Sequence, residues 1–236
     1  MKKVLTACLL FVSSLTFAQQ TVQRSAKLPN SDITETFSVL RSDKKIKQGE
    51  YTATAGNNTT LAQGTYLNGE RAGIWSFYNI SGKLIQTYNY TDNQLTFADS
   101  TDTKGLQYVM AGVKTDDDVT VPVKIGGSYS FRPTFLSKVL TQAINKDFGP
   151  VANATFIHTF SLNSKGEVTN HQVKVCINGQ NKLYQVDDSE LDHDLTRFAP
   201  AMVNNNPIPC KVITTNTVAM SNGNLPDYAN STYLGQ

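Results

Sequence analysis

The sequence predicts an α+β protein, with an N-terminal antiparallel β-meander of repeat hairpins and a small C-terminal α+β domain. Two observations support this fold class. Between residues 33 and 95, short segments rich in β-branched and aromatic residues alternate with turn sequences such as Asn68-Gly69. After residue 126, apolar residues recur first at helical spacing and then at strand spacing. The second domain is therefore expected to hold a three-stranded antiparallel sheet and two helices.

Residues 1–18 have the pattern of a secretory signal peptide. Lys2 and Lys3 precede the uncharged, mostly apolar run Val4–Phe17, and small residues flank a cut before Gln19. That run is shorter than the roughly 18 or more residues typical of a spanning helix. We therefore expect an exported chain without a membrane span after cleavage, which is periplasmic, outer-membrane-associated or secreted.

The charge of the chain argues against two classes of partner. The formal net charge is +2, and removal of Lys2 and Lys3 with the signal peptide takes it to 0. A chain with neither a net positive charge nor a basic patch is not expected to bind nucleic acid or an anionic membrane surface.

The first predicted domain, residues 33–95, is a meander that follows a loose polar lead. Asn-Gly between alternating apolar residues is the strongest local signal of a β-hairpin. The turn sequences divide this region into five predicted strands: Thr34–Arg41, Ile46–Thr54, Thr60–Leu67, Ala72–Ile80 and Lys83–Thr91.

An internal repeat runs through the meander. A Gly-x-aromatic unit occurs at Gly49-Glu50-Tyr51, Gly64-Thr65-Tyr66 and Gly73-Ile74-Trp75, with a hairpin period near 23 residues. Because one hairpin cannot bury its aromatic face alone, neighbouring hairpins are expected to pack together. The repeat is thus predicted to be a scaffold, with Tyr78 and Tyr90 as possible exposed aromatic contacts for a partner.

Residues 96–125 are polar and acidic and are predicted to be a linker with short strands at Leu106–Val113 and Val119–Lys124. The run Asp116–Asp118 lacks the spaced ligands of a calcium loop and indicates a solvated turn. The second domain is assigned to residues 126–222 and a tail to residues 223–236.

The second domain has five predicted elements. Pro133 suits a first helical turn, and Gly149-Pro150 ends that helix. Alternation from Ala154 to Leu162 indicates a half-buried strand. The remaining elements are a return strand Glu167–Val175, a second helix with the stripe Leu191, Leu195 and Phe198, and a last strand Cys210–Met220.

The stretch Lys45–Leu95 resembles the MORN-type repeats of exported bacterial proteins, including the YwqK-type family. The matching residues are Gly64-x-Tyr66, Asn68-Gly69-x-Arg71-x-Gly73-x-Trp75, Phe77-Tyr78 and Gly82-Lys83-Leu84. The resemblance covers about a fifth of the chain. It implies a scaffold or a contact surface, without a shared enzyme activity.

Residues 126–220 resemble the TonB C-terminal domain found beside such repeats. The resemblance rests on Gly126-Gly127, Phe156–Leu162, Gly166-Glu167-Val168, Leu191-Asp192-x-x-Leu195-x-Arg197 and Pro209-Cys210-Lys211-Val212. It implies a three-stranded sheet that binds a partner peptide as an added strand. The chain departs from the family pattern at Ala201-Met202-Val203, where a Trp-x-Pro is usual.

His158 and His171 are the one pair of residues that suggests chemistry. If Leu162 pairs with Glu167 across the turn, His158 lies opposite His171 on the neighbouring strand. Two imidazoles so placed could bind a metal or form a hydrogen-bonded pair. The pairing depends on the strand register, and spacing suggests no third ligand.

Cys176 and Cys210 remain after cleavage, and an oxidising compartment would permit a disulfide between them. Two separate thiols are the alternative, because sequence alone does not place the two Cα atoms within bridging distance.

The favoured hypothesis is a non-catalytic exported binding or assembly protein without a cofactor. No nucleophile elbow, zinc-protease helix or phosphate loop is present. An envelope protein or peptide segment would add a strand at the last strand, through Lys211, Val212, Thr214, Thr215 and Thr217. The alternatives are a TonB-type energy transducer with a retained N-terminal anchor, acting in transport across the outer membrane, and a metal-dependent secreted enzyme that uses His158 and His171.

Overall fold

The structure is a computed structural model that describes residues 20–28, 32–99, 105–126, 138–149, 153–187 and 196–219. A seven-stranded antiparallel sheet is built from the N-terminal part, and its strands lie side by side in sequence order. The strands are β1 (Thr21–Lys27), β2 (Thr34–Leu40), β3 (Lys47–Thr54), β4 (Thr60–Leu67), β5 (Glu70–Tyr78), β6 (Leu84–Asn89) and β7 (Gln94–Ala98).

The five predicted strands of the meander are all observed, as β2 to β6, and the sheet has one further strand at each end. β1 pairs with all seven residues of β2, although its side chains are mostly exposed. Since neither face of β1 is buried, its sequence has no apolar alternation and carries no strand signal. β7 is short and ends at Ala98, inside the segment predicted to be a linker.

The described residues from 105 onward form a five-stranded antiparallel sheet, two small sheets and one helix. The five-stranded sheet has the order β13-β12-β11-β17-β8, the three-stranded sheet has the order β16-β15-β9, and β10 pairs with β14. The elements are β8 (Leu106–Val109), β9 (Val119–Thr120), β10 (Val123–Lys124), α1 (Lys138–Phe148), β11 (Asn153–Leu162), β12 (Val168–Ile177), β13 (Gln180–Val186), β14 (Phe198–Ala199), β15 (Ala201–Val203), β16 (Asn206–Ile208) and β17 (Cys210–Ala219).

The predicted α+β class is wrong, because the fold of the described residues is nearly all-β and α1 is the only α-helix among them. The first predicted helix corresponds to α1, and Pro133 lies outside the described residues. Leu191 and Leu195 of the second predicted helix also lie outside them. Phe198, assigned to that helix, belongs to β14 because backbone bonds hold it extended: its N–H donates to the Gly166 carbonyl at 2.9 Å and it pairs with Lys124.

The segment predicted to be a linker is part of these sheets. β8 pairs with β17, β9 with β15 and β10 with β14, and each partner lies some 75 or more residues away in sequence. The predicted acidic turn is observed: Asp117 accepts hydrogen bonds from the Lys114 backbone at 2.7 Å and from the Asn204 side chain at 2.8 Å. These bonds lower the pKa of the Asp117 carboxyl.

A buried glutamine joins the seven-stranded sheet to the segment that follows it. The Gln86 side chain is fully buried. Its amide donates to the Lys124 carbonyl at 2.8 Å, and its carbonyl oxygen accepts from the Gly126 N–H at 2.6 Å. The bonds place Ile125 in the aromatic core of the first sheet.

We expect Gln86→Leu to lower the free energy of unfolding by about 2–4 kcal/mol, because two buried backbone groups lose their partners at about 1–3 kcal/mol each. Urea unfolding measures this loss. Gln63→Leu is the matched control, since Gln63 is exposed and bonds only the Tyr78 hydroxyl. Equal stability of the two variants would contradict the role given to Gln86.

Candidate functional site

The aromatic repeat forms the core of the first sheet. Trp75 is completely buried and packs against Tyr51 and Tyr66, with ring centroids 5.0 and 5.2 Å away. Its indole N–H donates to the Thr65 carbonyl at 3.1 Å. Gly64 lies directly beneath this ring, and a Cβ atom there would be 2.3 Å from the indole carbons. Gly64 therefore provides room for the Trp75 ring of the next strand, whereas a Cβ atom at Gly49 or Gly73 would meet nothing within 4 Å.

Two cations cover one end of the aromatic core. The Lys47 ammonium lies 4.8 Å from the ring centres of Phe37 and Tyr66. The Arg71 guanidinium lies 4.5 Å from the Trp75 ring and donates to the Tyr90 hydroxyl at 2.7 Å. Cation–π contacts of this kind stabilise an aromatic surface, and here the two side chains cover the aromatic rings at this end of the core.

Neither predicted aromatic contact is an exposed residue. Tyr90 is buried in the core cluster and packs edge-on against Tyr88 at 4.8 Å. Tyr78 is half-buried, and its hydroxyl accepts a hydrogen bond from Gln63 at 2.8 Å. The structure thus places Tyr90 in the scaffold and leaves Tyr78 on the surface as part of a hydrogen-bonded pair.

The two histidines meet across adjacent strands, although in a different register from the one predicted. Leu162 pairs with Val168 in place of Glu167, and a β-bulge between Ser161 and Leu162 shifts the pairing by one more residue, so that His171 lies opposite Phe160 and His158 lies opposite Val173. The shift amounts to two residues, and side chains alternate with period 2. Both imidazoles therefore stay on the buried face, where His158 Nδ1 is 3.0 Å from His171 Nε2.

The histidine pair is enclosed by aromatic rings. His158 is 1% exposed and His171 is 2% exposed. Phe160 stacks on His171 at 4.2 Å between centroids, and Thr214 lies opposite His158 on β17. Burial, with a smaller contribution from the neighbouring imidazole, lowers the pKa of His158 to about 3. The His158 ring is therefore neutral at physiological pH and can accept or donate one hydrogen bond to His171.

The pair offers two nitrogen atoms to a metal. In the part of the chain that the structure describes, no group of three His, Cys, Asp or Glu side chains could hold a metal ion. A catalytic zinc site uses three protein ligands. His158 and His171 are arranged as a buried hydrogen-bonded pair. The hypothesis of a metal-dependent enzyme stays a prediction, for which these two histidines are the candidate ligands.

Cys176 and Cys210 are free thiols that lie at opposite ends of the five-stranded sheet. Cys176 pairs with Thr155, and Cys210 pairs with Leu162, farther along β11. These partners are seven positions apart along β11, which separates the cysteines by about 23 Å at about 3.3 Å per residue. A disulfide between them would need a Cα separation near 4.4–6.8 Å, so this fold does not permit it. Burial raises the pKa of the Cys210 thiol.

The strand predicted to form the binding edge lies inside the sheet. β17 pairs with β11 along its whole length, and Lys211–Thr214 also pair with β8 on the other side. Lys211, Val212 and Thr214 are therefore not available for strand addition. Thr215 and Thr217 lie beyond the end of β8, and Thr217 shares a hydroxyl–hydroxyl contact of 3.0 Å with Thr155.

The open edge on the other side of this sheet belongs to β13, a strand that was not predicted. β13 pairs with β12 through seven residues, from His171↔Val186 to Ile177↔Gln180, and no other described strand pairs with it. The signal was present in the sequence: Asn178 and Gly179 have φ of 49° and 81°, as a two-residue hairpin turn requires.

The helix holds β13 in position through one carboxylate. Asp147 of α1 accepts a bond from the Tyr184 hydroxyl at 2.7 Å and lies 2.8 Å from the Lys182 ammonium. The Lys182 and Tyr184 bonds lower the pKa of Asp147, while burial and the bond to Asp147 raise the pKa of Tyr184. The opposite face of β13 presents Leu183, which is 58% exposed.

No helix in the described ranges is long and apolar enough to cross a membrane. Comparison with known proteins finds no family model, no curated protein and no solved structure that matches the chain.

Proposed function

We propose that this chain is a non-catalytic exported binding or assembly protein that docks an extended segment of an envelope partner by β-strand addition at β13. The observation that supports this is the outer edge of β13, seven residues long, with an exposed leucine and one pairing strand. Such an edge presents backbone N–H and C=O groups that a partner strand can satisfy.

The supporting sheet suits this role. Core residues of β11 and β12 and Ile144 of α1 pack together beneath the edge, so that the edge is held by a rigid layer. Asp147 fixes Lys182 and Tyr184 on one face of β13, and Leu183 is left on the other. A partner strand would therefore find a fixed hydrogen-bonding edge with one apolar contact.

The test uses the mature chain as bait for partners in an extract of its own cell envelope. Leu183→Lys puts a charge on the edge, a feature by which natural edge strands avoid pairing. We expect it to weaken partner capture about tenfold or more, equivalent to about 1.4 kcal/mol.

Ile74→Lys is the matched control. Ile74 is 63% exposed, but it lies in β5, which pairs on both sides, so capture should be unchanged. Full capture by Leu183→Lys, or an equal loss in the control, would refute the assignment of β13.

A further inference from the structure

The edge of β13 also indicates the identity of a partner, and this inference rests on the proposed function. We infer that β13 pairs with β13 of a second copy of this chain, antiparallel about a two-fold axis at Leu183. In this register all seven residues of β13 lie opposite a residue of the second copy.

The edge of β13 lacks the features that protect natural edge strands. Natural edge strands are commonly blocked by short length, proline or free charges. The sequence of β13, QNKLYQV, has no proline and one charged residue, Lys182. The Lys182 ammonium is held 2.8 Å from Asp147, so its charge is partly neutralised and drawn towards the helix.

The other described edges are better protected. β1 is equally long but carries exposed Arg24 and Lys27, β7 has five residues and β8 has four. Four described strands, β1, β7, β8 and β13, lie at the edges of the two larger sheets. Of these, only β13 has seven residues and a single charged side chain that is held by an ion pair. An edge of this kind favours pairing with another strand.

β13 is also complementary to itself in one register. With Leu183 opposite Leu183 of the second copy, the pair removes the most exposed apolar side chain of the strand from water. Asn181 then lies opposite Gln185 of the second copy, amide beside amide. Lys182 lies opposite Tyr184 of the second copy, in the pairing that Lys182 already makes with its own Tyr184 ring at 5.8 Å.

The neighbouring register is less favourable. A two-fold axis at Lys182 would place the two ammonium groups directly opposite each other, and like charges in that position destabilise a sheet. The Leu183 register separates them by two positions along the strands. Antiparallel pairing in this register therefore combines apolar contact with the absence of charge repulsion.

The test is cysteine cross-linking of the purified mature chain in a Cys176→Ser background, because Asn181 lies opposite Cys176 and could otherwise bond it. In the Leu183→Cys variant, the directly opposed Cα atoms of two copies would be about 4.5–5.5 Å apart, within disulfide range. Asn181→Cys is the control on the same face, because its Cα atoms would be about 14 Å apart, four residues along the strands.

We expect Leu183→Cys to give a disulfide-linked dimer under mild oxidation, while Asn181→Cys stays monomeric. Sedimentation equilibrium of the unmodified chain should show a reversible dimer that Leu183→Lys abolishes. Equal linking of both cysteine variants, linking of neither, or a dimer that survives Leu183→Lys would overturn the inference.

A photoreactive benzophenone attached to the Leu183→Cys variant separates this inference from the proposed function. In an envelope extract, an adduct of twice the chain mass supports pairing with a second copy. An adduct with a different polypeptide alone overturns the self-pairing and leaves strand addition at β13 intact. The absence of any adduct overturns both.

Discussion

Gly64→Ala is expected to lower the free energy of unfolding by about 3 kcal/mol, the upper part of the range for overpacked cores. The added Cβ would lie 2.3 Å from the Trp75 ring, whereas carbon atoms in favourable contact are about 3.5–4.0 Å apart. The ring has little room to move, because Tyr51, Tyr66 and Phe77 pack against it and Arg71 covers it.

Urea unfolding measures this effect, followed by far-ultraviolet circular dichroism because Trp75 is the chain's single tryptophan and is absent from one of the variants. Gly56→Ala is the matched control, since a Cβ there would meet Asp32 at an ordinary 3.5 Å, and its stability should stay within about 0.5 kcal/mol of the parent. Trp75→Phe in the Gly64→Ala background should recover part of the loss, because the smaller ring leaves space for the methyl group. A Gly64→Ala chain as stable as the parent would mean that the repeat glycine has another role.

The stability of the protein is expected to fall as the pH falls from about 6.5 towards 3, because of His158. The ordinary pKa of a histidine is 6.5, whereas the pKa of His158 in the folded chain is about 3. Between these values the unfolded chain binds a proton that the folded chain does not, so acid favours unfolding. The stability that His158 contributes is fully present above pH 6.5. Below pH 6.5 the free energy of unfolding falls by about 1.4 kcal/mol for each pH unit.

The measurement is the free energy of unfolding in urea at a series of pH values, compared with His158→Gln. Glutamine can still hydrogen-bond His171 but does not titrate. The free energy of unfolding of the variant should therefore change less steeply with pH, by up to the slope that one bound proton produces. The comparison is cleanest above about pH 4.5, where carboxyl groups near their usual pKa values remain ionised. Parallel slopes for the two chains would show that His158 takes up its proton in the folded state as readily as in the unfolded one.

The sequence predicted the parts of this fold that depend on neighbouring residues. Asn68-Gly69 adopts positive φ at both positions because this geometry is local, and β2 to β6 follow from turns of this kind and from alternation between them. The buried face of β11 was likewise predictable, since a strand with one face in the core alternates with period 2. The scaffold role of the aromatic repeat rests on the same local pattern.

The register of the histidine pair was not predictable from local pattern. Leu162 pairs with Val168 in place of Glu167, and the bulge at Ser161/Leu162 adds a second one-residue shift; the sequence of the turn Asn163–Gly166 specifies neither. The meeting of the two rings was nevertheless anticipated, because a shift by an even number of residues keeps each side chain on its face. A shift by one would have placed the rings on opposite faces.

Only the tertiary structure decides which strand lies at the open edge of the five-stranded sheet. The pattern of Cys210–Ala219 is that of a strand wherever it lies, but β8, about 100 residues earlier in the chain, covers one side of it, so that β13 is left at the open edge. Strand order depends on which distant segments bury the most surface and satisfy the most backbone groups together. The sequence by itself determined β2 to β6 with their turns and the buried face of β11, whereas the packing of distant strands decided that β17 is covered on both sides and that β13 lies at an edge of the described sheet.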